Sequence, residues 1–158
     1  MAQMSLRERF WNRFTGKDVD MTPYGSTTTY GVVDLMDKCG YARPLADTDP
    51  VAMTELSYAG HEYGKFEWVK AMGWDIVGLS EAFGCKLGTP QKDIQYSIHG
   101  HPYADSIENI EFPSDYLERG RFPMFKEHFR LLKDKVGDDL IVFGETEGPF
   151  TCAANLVG

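Results

Sequence analysis

The polar residues that directly follow predicted strands are the first candidates for chemistry in this sequence. Carboxylate and hydroxyl side chains in such positions can orient a substrate, accept a proton or hold a neighbouring group in place. Three positions of this kind occur, and their residues are Tyr24 and Gly25, Ser80 and Glu81, and Glu145 and Glu147. We predict that these six residues contribute to a substrate-binding site, and we assign a catalytic role to none of them.

The histidines and cysteines of the chain do not predict a metal site. His99 and His101 are separated by one glycine, but no third ligand lies near them in the sequence, and we interpret them as part of a solvated loop. The cysteines Cys39, Cys85 and Cys152 are odd in number and widely spaced, which favours neither a zinc knuckle nor a disulfide framework.

Hydrophobic periodicity predicts helices that alternate with short buried strands. The predicted helices cover about residues 6–14, 29–39, 50–72 and 122–136, and Gly60 and Gly64 leave open whether residues 50–72 form one helix or two. The predicted strands cover residues 19–23, 74–79 and 140–143. Ser5 with Glu8 forms a capping box, and Asp49 followed by Pro50 is a typical helix start. Residues 84–112 mix glycine, proline, histidine and tyrosine, and we interpret them as a long loop or a β-hairpin excursion.

Strands that alternate with long helices are typical of βαβ units, which build a parallel sheet in an α/β fold. Active sites of such folds form at the carboxyl ends of the strands, where the six candidate residues would lie. An eight-stranded barrel needs roughly 250 residues, and only about three strands can be placed in this chain. We therefore expect either a small open sheet or one portion of a larger barrel.

Composition and charge exclude several classes of function. The chain has 158 residues, of which 42% are apolar, and its net charge of −8 argues against general nucleic-acid binding. No apolar run approaches the roughly 18 residues of a membrane span, and the first residues do not have the pattern of a signal peptide. These features predict a soluble cytoplasmic protein without a membrane partner.

Three segments resemble the uroporphyrinogen decarboxylase superfamily, and they occur in that family's order. The segment 140–156 is similar to the family's third strand, where an apolar run meets a Gly-Pro pair and a helix of small residues. The segment 6–23 resembles its opening helix and first strand, and the segment 75–84 resembles its second strand. The resemblance implies that residues 1–158 are the N-terminal part of a single (β/α)8 TIM-barrel domain.

The residues directly after the first predicted strand indicate the branch of the superfamily. Decarboxylases carry an arginine-rich segment there, because the substrate's carboxylates need cationic partners. This chain has no arginine between Arg13 and Arg43. The Val19-Asp20 pair and the segment Leu35-Met36-Asp37 are instead similar to the methylcobamide:coenzyme M methyltransferases.

The resemblance implies methyl transfer from a methyl-cobalt corrinoid, carried on a separate protein, to a zinc-activated thiol such as coenzyme M. The family's zinc ligands are a His-x-Cys pair and a later Cys in the second half of the barrel, and this chain has no His-x-Cys. We therefore expect the zinc ligands outside these residues, and we expect the chain alone to be inactive without the rest of the barrel or another chain. Glu81 is our first choice of site residue, since the family places an acidic residue after its second strand.

Three alternatives stay open at this point. The first is a methyltransferase that exchanges methyl groups between methylcobalamin and tetrahydrofolate. The second is a lyase of the uroporphyrinogen decarboxylase type. The third is a non-catalytic, truncated barrel segment that pairs with another chain and would expose a sheet edge when isolated.

Overall fold

The computed structural model describes residues 3–28, 30–73 and 76–158 and has an α/β fold. Its helices are α1 (Leu6–Phe14), α2 (Val33–Cys39), α3 (Pro50–Glu62), α4 (Gly78–Ala82), α5 (Phe122–Val136) and α6 (Pro149–Val157). Its strands are β1 (Trp68–Ala71), β2 (Lys86–Leu87), β3 (Ile98–Gly100) and β4 (Ile141–Gly144). None of the helices within these residues is long and apolar enough to cross a membrane.

The centre of the fold is the parallel pair of β1 and β4. The two strands run in register from Trp68 beside Ile141 to Ala71 beside Gly144. Val69 and Ala71 are fully buried and pack with Leu132 of α5. Because side chains alternate along a strand, the residues between them belong to the opposite face, which is the interior face in a closed barrel. Lys70 is on that face.

The first predicted strand, residues 19–23, is wrong, since these residues form no strand in the structure. The chain instead reaches β1 at Tyr24, whose carbonyl oxygen accepts the N–H of Glu67 at 3.0 Å. Two side chains of β1 continue this contact, since Trp68 donates to Ser26 and Lys70 to Thr28. The segment 24–28 therefore covers one edge of β1 through side-chain bonds in place of a regular ladder.

The predicted helix 50–72 is too long, and the described part of the predicted strand 74–79, residues 76–79, contains no strand. Helix α3 ends at Glu62, and the chain reverses through Lys65, which has a left-handed φ of 58°. The buried run that comes next forms β1, so its apolar residues belong to a strand and not to the helix. Within the predicted strand, Trp74 and Asp75 lie outside the described residues, and α4 begins at Gly78.

The last third of the chain agrees with the sequence pattern. Helix α5 covers the predicted range 122–136, and β4 lies one residue beyond the predicted strand 140–143. Helix α2 begins later than predicted but ends before Gly40, as expected. Within residues 84–112, β2 and β3 form a short antiparallel hairpin.

A charged network closes the amino end of the parallel strands. The guanidinium of Arg9, only 3% exposed, is 2.7 Å from a carboxylate oxygen of Asp20 and 2.9 Å from one of Glu67. Asp20 also accepts the N–H of Met4 at 2.9 Å. The network ties α1 and the segment after it to the residue that precedes β1. Both carboxylates pair with the Arg9 guanidinium, while the second oxygen of Glu67 is buried without a hydrogen-bond partner among the described residues.

Helices α3 and α5 pack together around one buried polar pair. The Thr54 hydroxyl donates to the carbonyl of Pro50 at 2.7 Å, so its oxygen accepts from Nδ1 of His128 at 2.9 Å. His128 has no exposed surface, and its Nε2 has no partner in the described part of the chain. Burial lowers the pKa of His128 to about 4, so the ring is neutral near pH 7.

Candidate functional site

A buried lysine and a glutamate meet at the carboxyl end of the parallel strands. Lys70 projects from the middle of β1, is 1% exposed, and donates to Oε1 of Glu145 at 2.5 Å. It also donates to the carbonyl oxygen of Thr28. The Glu145 side chain comes directly after β4 and is 27% exposed. One carboxylate oxygen of Glu145 is therefore fixed by Lys70, while the side chain still reaches the surface.

A second carboxylate at this end is fixed by neutral donors. Glu147 accepts the N–H and the hydroxyl of Ser80, each at 2.6 Å, and the side-chain amide of Asn155 at 3.1 Å. Glu147 is 6% exposed. Hydrogen bonds to an ionised group are stronger than neutral ones, so these three bonds stabilise its buried position. The carboxylate links α4 to α6.

The local backbone explains why Ser80 reaches Glu147. Helix α4 begins at Gly78, where an added Cβ would lie 2.9 Å from the ring of Phe125 on α5. The glycine therefore lets the start of α4 pack closely against Phe125 of α5. On the other side, Gly148 precedes α6 and Pro149 begins it, which is a typical helix start. The two helices therefore meet at Glu147.

An apolar cavity of about 440 Å³ opens beside Glu145. Its apolar walls include Met72, Leu79, Leu117 and Phe122, and its polar groups include Glu145 and Thr146. No cationic side chain lines this cavity among the residues that the structure describes. The arrangement can bind an apolar ligand edge that carries hydrogen-bond donors, because the donors can reach the carboxylate.

Two buried thiols lie behind Glu147 and are not arranged as metal ligands. Burial raises the pKa of Cys85 to about 11, and the nearby Cys152 and Glu147 contribute to the rise. Burial also raises the pKa of Cys152. Both thiols are therefore protonated near pH 7. Over residues 3–28, 30–73 and 76–158, no group of three or more His, Cys, Asp and Glu residues is placed to hold a metal ion.

Glu81 occupies a different position from the other predicted acids. Its carboxylate is 2.8 Å from Nε of Arg121, and the two side chains are 21% and 8% exposed. The Arg121 guanidinium also lies over the ring of Tyr96, 4.1 Å from its centre. Glu81 therefore joins α4 to the start of α5, and it does not line the cavity beside Glu145. Its role in binding stays a prediction.

Tyr24 and Gly25 lie away from the predicted acids. The Tyr24 carbonyl is bonded to Glu67, which precedes β1, and its hydroxyl donates to the carbonyl of Gly64 at 3.1 Å. An added Cβ on Gly25 would lie 2.7 Å from the ring of Trp68, so glycine permits this close approach. Both residues thus flank the amino end of β1. Ser80, Glu145 and Glu147 are brought together at the carboxyl end, and Tyr24 and Gly25 are not.

Two residues of the site, Lys70 and Asn155, were not predicted from the sequence. Lys70 was missed because its segment was assigned to the preceding helix. The available signal was a single lysine inside the run Trp68-Val69-Lys70-Ala71, where a buried strand would require a partner for its charge. Asn155 lies in a helix of small and apolar residues, where a lone amide also indicates a buried polar partner.

The chain is similar to curated methyltransferases over almost its full length. It is 36% identical over 157 residues to the methylcobamide:CoM methyltransferase MtaA of Methanosarcina barkeri (strain Fusaro / DSM 804). It is 30% identical over 159 residues to the methylcobamide:CoM methyltransferase MtbA of Methanosarcina mazei. These alignments cover 99% and 100% of this chain but 46% of each relative. The chain thus spans about half the length of these relatives.

A solved structure supports the same relationship. A methyltransferase from Methanosarcina mazei matches with a TM-score of 0.92 and 37% identity, over 99% of this chain and 46% of that one. The family described as uroporphyrinogen decarboxylase (URO-D) matches residues 5–158. The described fold is therefore part of a TIM barrel of this type. From these matches and the strand geometry, the chain belongs to the uroporphyrinogen decarboxylase (URO-D) family.

Proposed function

We propose that this chain forms part of a corrinoid-dependent methyltransferase that moves a methyl group from a methyl-cobalt corrinoid to a thiol such as coenzyme M. The proposal rests on one structural observation, the apolar cavity with Glu145 and Thr146 at the carboxyl ends of the parallel strands. TIM barrels place their active sites at that end. The names of the MtaA and MtbA relatives supply the class of reaction.

The proposed reaction is a displacement at the methyl carbon. A bond forms between the acceptor sulfur and the methyl carbon, and the cobalt–carbon bond breaks. Its electron pair stays on cobalt, which becomes Co(I), and the thiol proton passes to solvent. The cavity walls, formed by Met72, Leu79 and Phe122, would exclude water from the approach of the two reactants.

The predicted site residues have distinct parts in this proposal. Glu145 offers a hydrogen-bond acceptor at the cavity, and Ser80 holds Glu147 behind it. Glu81 would support the start of α5 through Arg121. Tyr24 and Gly25 would act only through the packing of the segment beside β1.

The family resemblance implies a zinc ion that binds the acceptor thiol and lowers its pKa. The described side chains do not fit such a site, since they bring no three suitable ligands together. We therefore place the zinc ligands outside this chain's residues and assign no step of these residues to the metal. The same proposal includes a separate corrinoid protein as the partner that presents the methyl donor, and the rest of the barrel or another chain as the source of the remaining wall.

The test is a methyl-transfer assay on the complete protein that contains this sequence. Methylcobalamin serves as the donor and coenzyme M as the acceptor, and mass spectrometry measures the S-methylated product. The proposal predicts product formation that depends on enzyme and on both substrates. Parallel reactions contain tetrahydrofolate as the acceptor, or uroporphyrinogen alone with carbon dioxide measured. Methylation of tetrahydrofolate alone, carbon dioxide release, or no reaction under any condition would contradict the proposal.

A further inference from the structure

We propose that Lys70 is a positioning residue that holds Glu145 toward the amide-bearing edge of the corrin ring. The inference rests on the proposed methyl transfer and names the ligand surface that Glu145 meets. It starts from a lysine whose side chain is 1% exposed and therefore does not contact a substrate itself. Any effect of Lys70 on the reaction must act through the groups that it touches.

Those groups are few, and one of them reaches the cavity. Lys70 donates to the Thr28 carbonyl and to Oε1 of Glu145. Glu145 lines the cavity. Its second oxygen makes no hydrogen bond to any residue that the structure describes. The ammonium group thus fixes one oxygen of the carboxylate and leaves the other available to a ligand in the cavity.

The charge of the cavity decides which ligand surface fits. An anionic acceptor group would meet the Glu145 carboxylate without a cation to balance it among the described lining residues, which is unfavourable in an apolar site. A corrin edge is apolar and carries neutral carboxamide side chains, whose N–H groups donate. Such an edge can contact Met72, Leu79 and Phe122 while one amide donates to Glu145. The methyl donor therefore matches this cavity better than a thiol with an anionic tail.

A buried ion pair with one accessible member is suited to positioning. A lysine alone in this strand would be costly, and a glutamate alone would sample several rotamers at the surface. Together they hold the carboxylate in one place before the ligand arrives. Misplacement of a contact group by about 1 Å can change rates by roughly 100-fold, so the loss of the lysine should be measurable.

The experiment measures kcat and both KM values in the complete protein, with free methylcobalamin as donor and coenzyme M as acceptor. The substitution Lys70→Met keeps most of the length of the side chain and removes its charge. We expect it to raise KM for methylcobalamin by roughly 10- to 100-fold and to leave KM for coenzyme M within about twofold. Lys70→Arg keeps the charge and should recover part of the loss.

Two further variants separate positioning from stability. Glu145→Gln and the double variant K70M/E145Q should show the same KM for methylcobalamin as Lys70→Met, because all three remove one fixed acceptor. The double variant also leaves no unpaired charge, so it decides the question even where Lys70→Met folds poorly. Lys135→Met removes the lysine of the α3–α5 pair with Glu55, distant from the cavity, and should keep both KM values.

Three results would overturn the inference. One is an unchanged KM for methylcobalamin in Lys70→Met. Another is a rise confined to KM for coenzyme M, which would place the acceptor at Glu145. The third is a double variant with wild-type activity, which would make the pair purely structural. Wild-type protein that transfers no methyl group would instead refute the proposed function itself.

Discussion

The two ends of the parallel strands both contain buried charges, but they use them differently. At the amino end, Arg9 is enclosed with Asp20 and Glu67, and both carboxylates pair with its guanidinium. At the carboxyl end, Lys70 is buried, whereas its partner Glu145 remains 27% exposed beside a cavity. A closed network of charges fixes the fold. A buried charge whose partner is open to a cavity can also meet a ligand.

From this difference we expect the amino end of the strands to stabilise the fold and the carboxyl end to bind the ligand. Changes at the amino end should lower stability with little direct effect on substrate affinity. Changes at the carboxyl end should alter kinetic constants even where the protein remains folded. Variants of the complete protein that contains this sequence can test that separation.

The largest loss of stability is expected from Arg9→Leu. The substitution leaves the buried Glu67 carboxylate and the partly buried Asp20 carboxylate without their cation. Arg9 holds the pKa of Asp20 well below its usual range, chiefly through their hydrogen bond. The stability linked to this low pKa is complete above about pH 4 and is lost as pH falls through the native pKa. Urea unfolding should therefore show the largest difference in the free energy of unfolding between wild type and variant near pH 7. This difference should become smaller below pH 4.

The control for this change is the kinetic assay. Folded Arg9→Leu protein should keep the KM for methylcobalamin, because the network lies at the opposite end of β1 from Glu145. A large rise in that KM at full folding would break the proposed separation of the two ends.

Between about pH 6.5 and pH 4, the wild-type protein should lose stability because of the buried His128. The native ring has a pKa of about 4, below the value of 6.5 for an unperturbed histidine. The unfolded chain therefore takes up a proton first, and stability falls as pH drops through this window, by about 3 kcal/mol in total. Urea titrations at pH 7, 5 and 4 should show this fall.

The matched variant is His128→Gln, which retains a group able to bond Thr54. Its stability should be nearly independent of pH in the same window. A wild-type curve that is flat between pH 6.5 and 4 would show that the ring is protonated or exposed in the native state. This measurement also separates the loss of stability caused by His128 from the loss caused by Asp20, which begins at lower pH.

A smaller effect is expected from Ser80→Ala. The substitution removes the hydroxyl bond to Glu147 but keeps the bond from the Ser80 N–H. Loss of one hydrogen bond to a charged group costs about 1.5–3 kcal/mol, and the remaining donors should reduce that cost toward the lower limit. Chemical denaturation measures the stability, and Ser80→Cys provides a variant of similar size. If Ser80→Ala lowered the free energy of unfolding as much as Arg9→Leu, the two ends would not differ in their contribution to stability.

The sequence predicted elements well where the pattern was long. Phe122, Phe125 and Leu132 repeat at helical spacing, and all three are buried in α5. The third strand was also correct, because its apolar run lies between charged residues and glycine. Short apolar runs were ambiguous, and residues 74–79 resembled a strand, whereas β1 ends at Ala71 and residues 76–79 contain no strand. Periodicity over five or six residues does not separate a buried strand from a helix segment.

The site was predicted in part for a related reason. Glu145 and Glu147 were found because they come after a correctly predicted strand, and Ser80 because it comes after an apolar run. Lys70 was missed because its segment was assigned to the preceding helix, and its pairing with Glu145 spans 75 residues of sequence. A pairing of this range depends on the register of β1 with β4, which no local pattern contains. Tyr24 and Gly25 were selected from a predicted strand that is not formed.

The most direct test of a binding role for the carboxyl end is a crystal structure of the complete protein with methylcobalamin bound. We predict the corrin edge in the apolar cavity at the carboxyl ends of β1 and β4. A carboxamide nitrogen of the corrin should lie within hydrogen-bond distance of the free Glu145 oxygen, with Lys70 still on the other oxygen. A corrin bound beside Arg9 and Glu67, or bound with Glu145 turned away from it, would contradict this assignment.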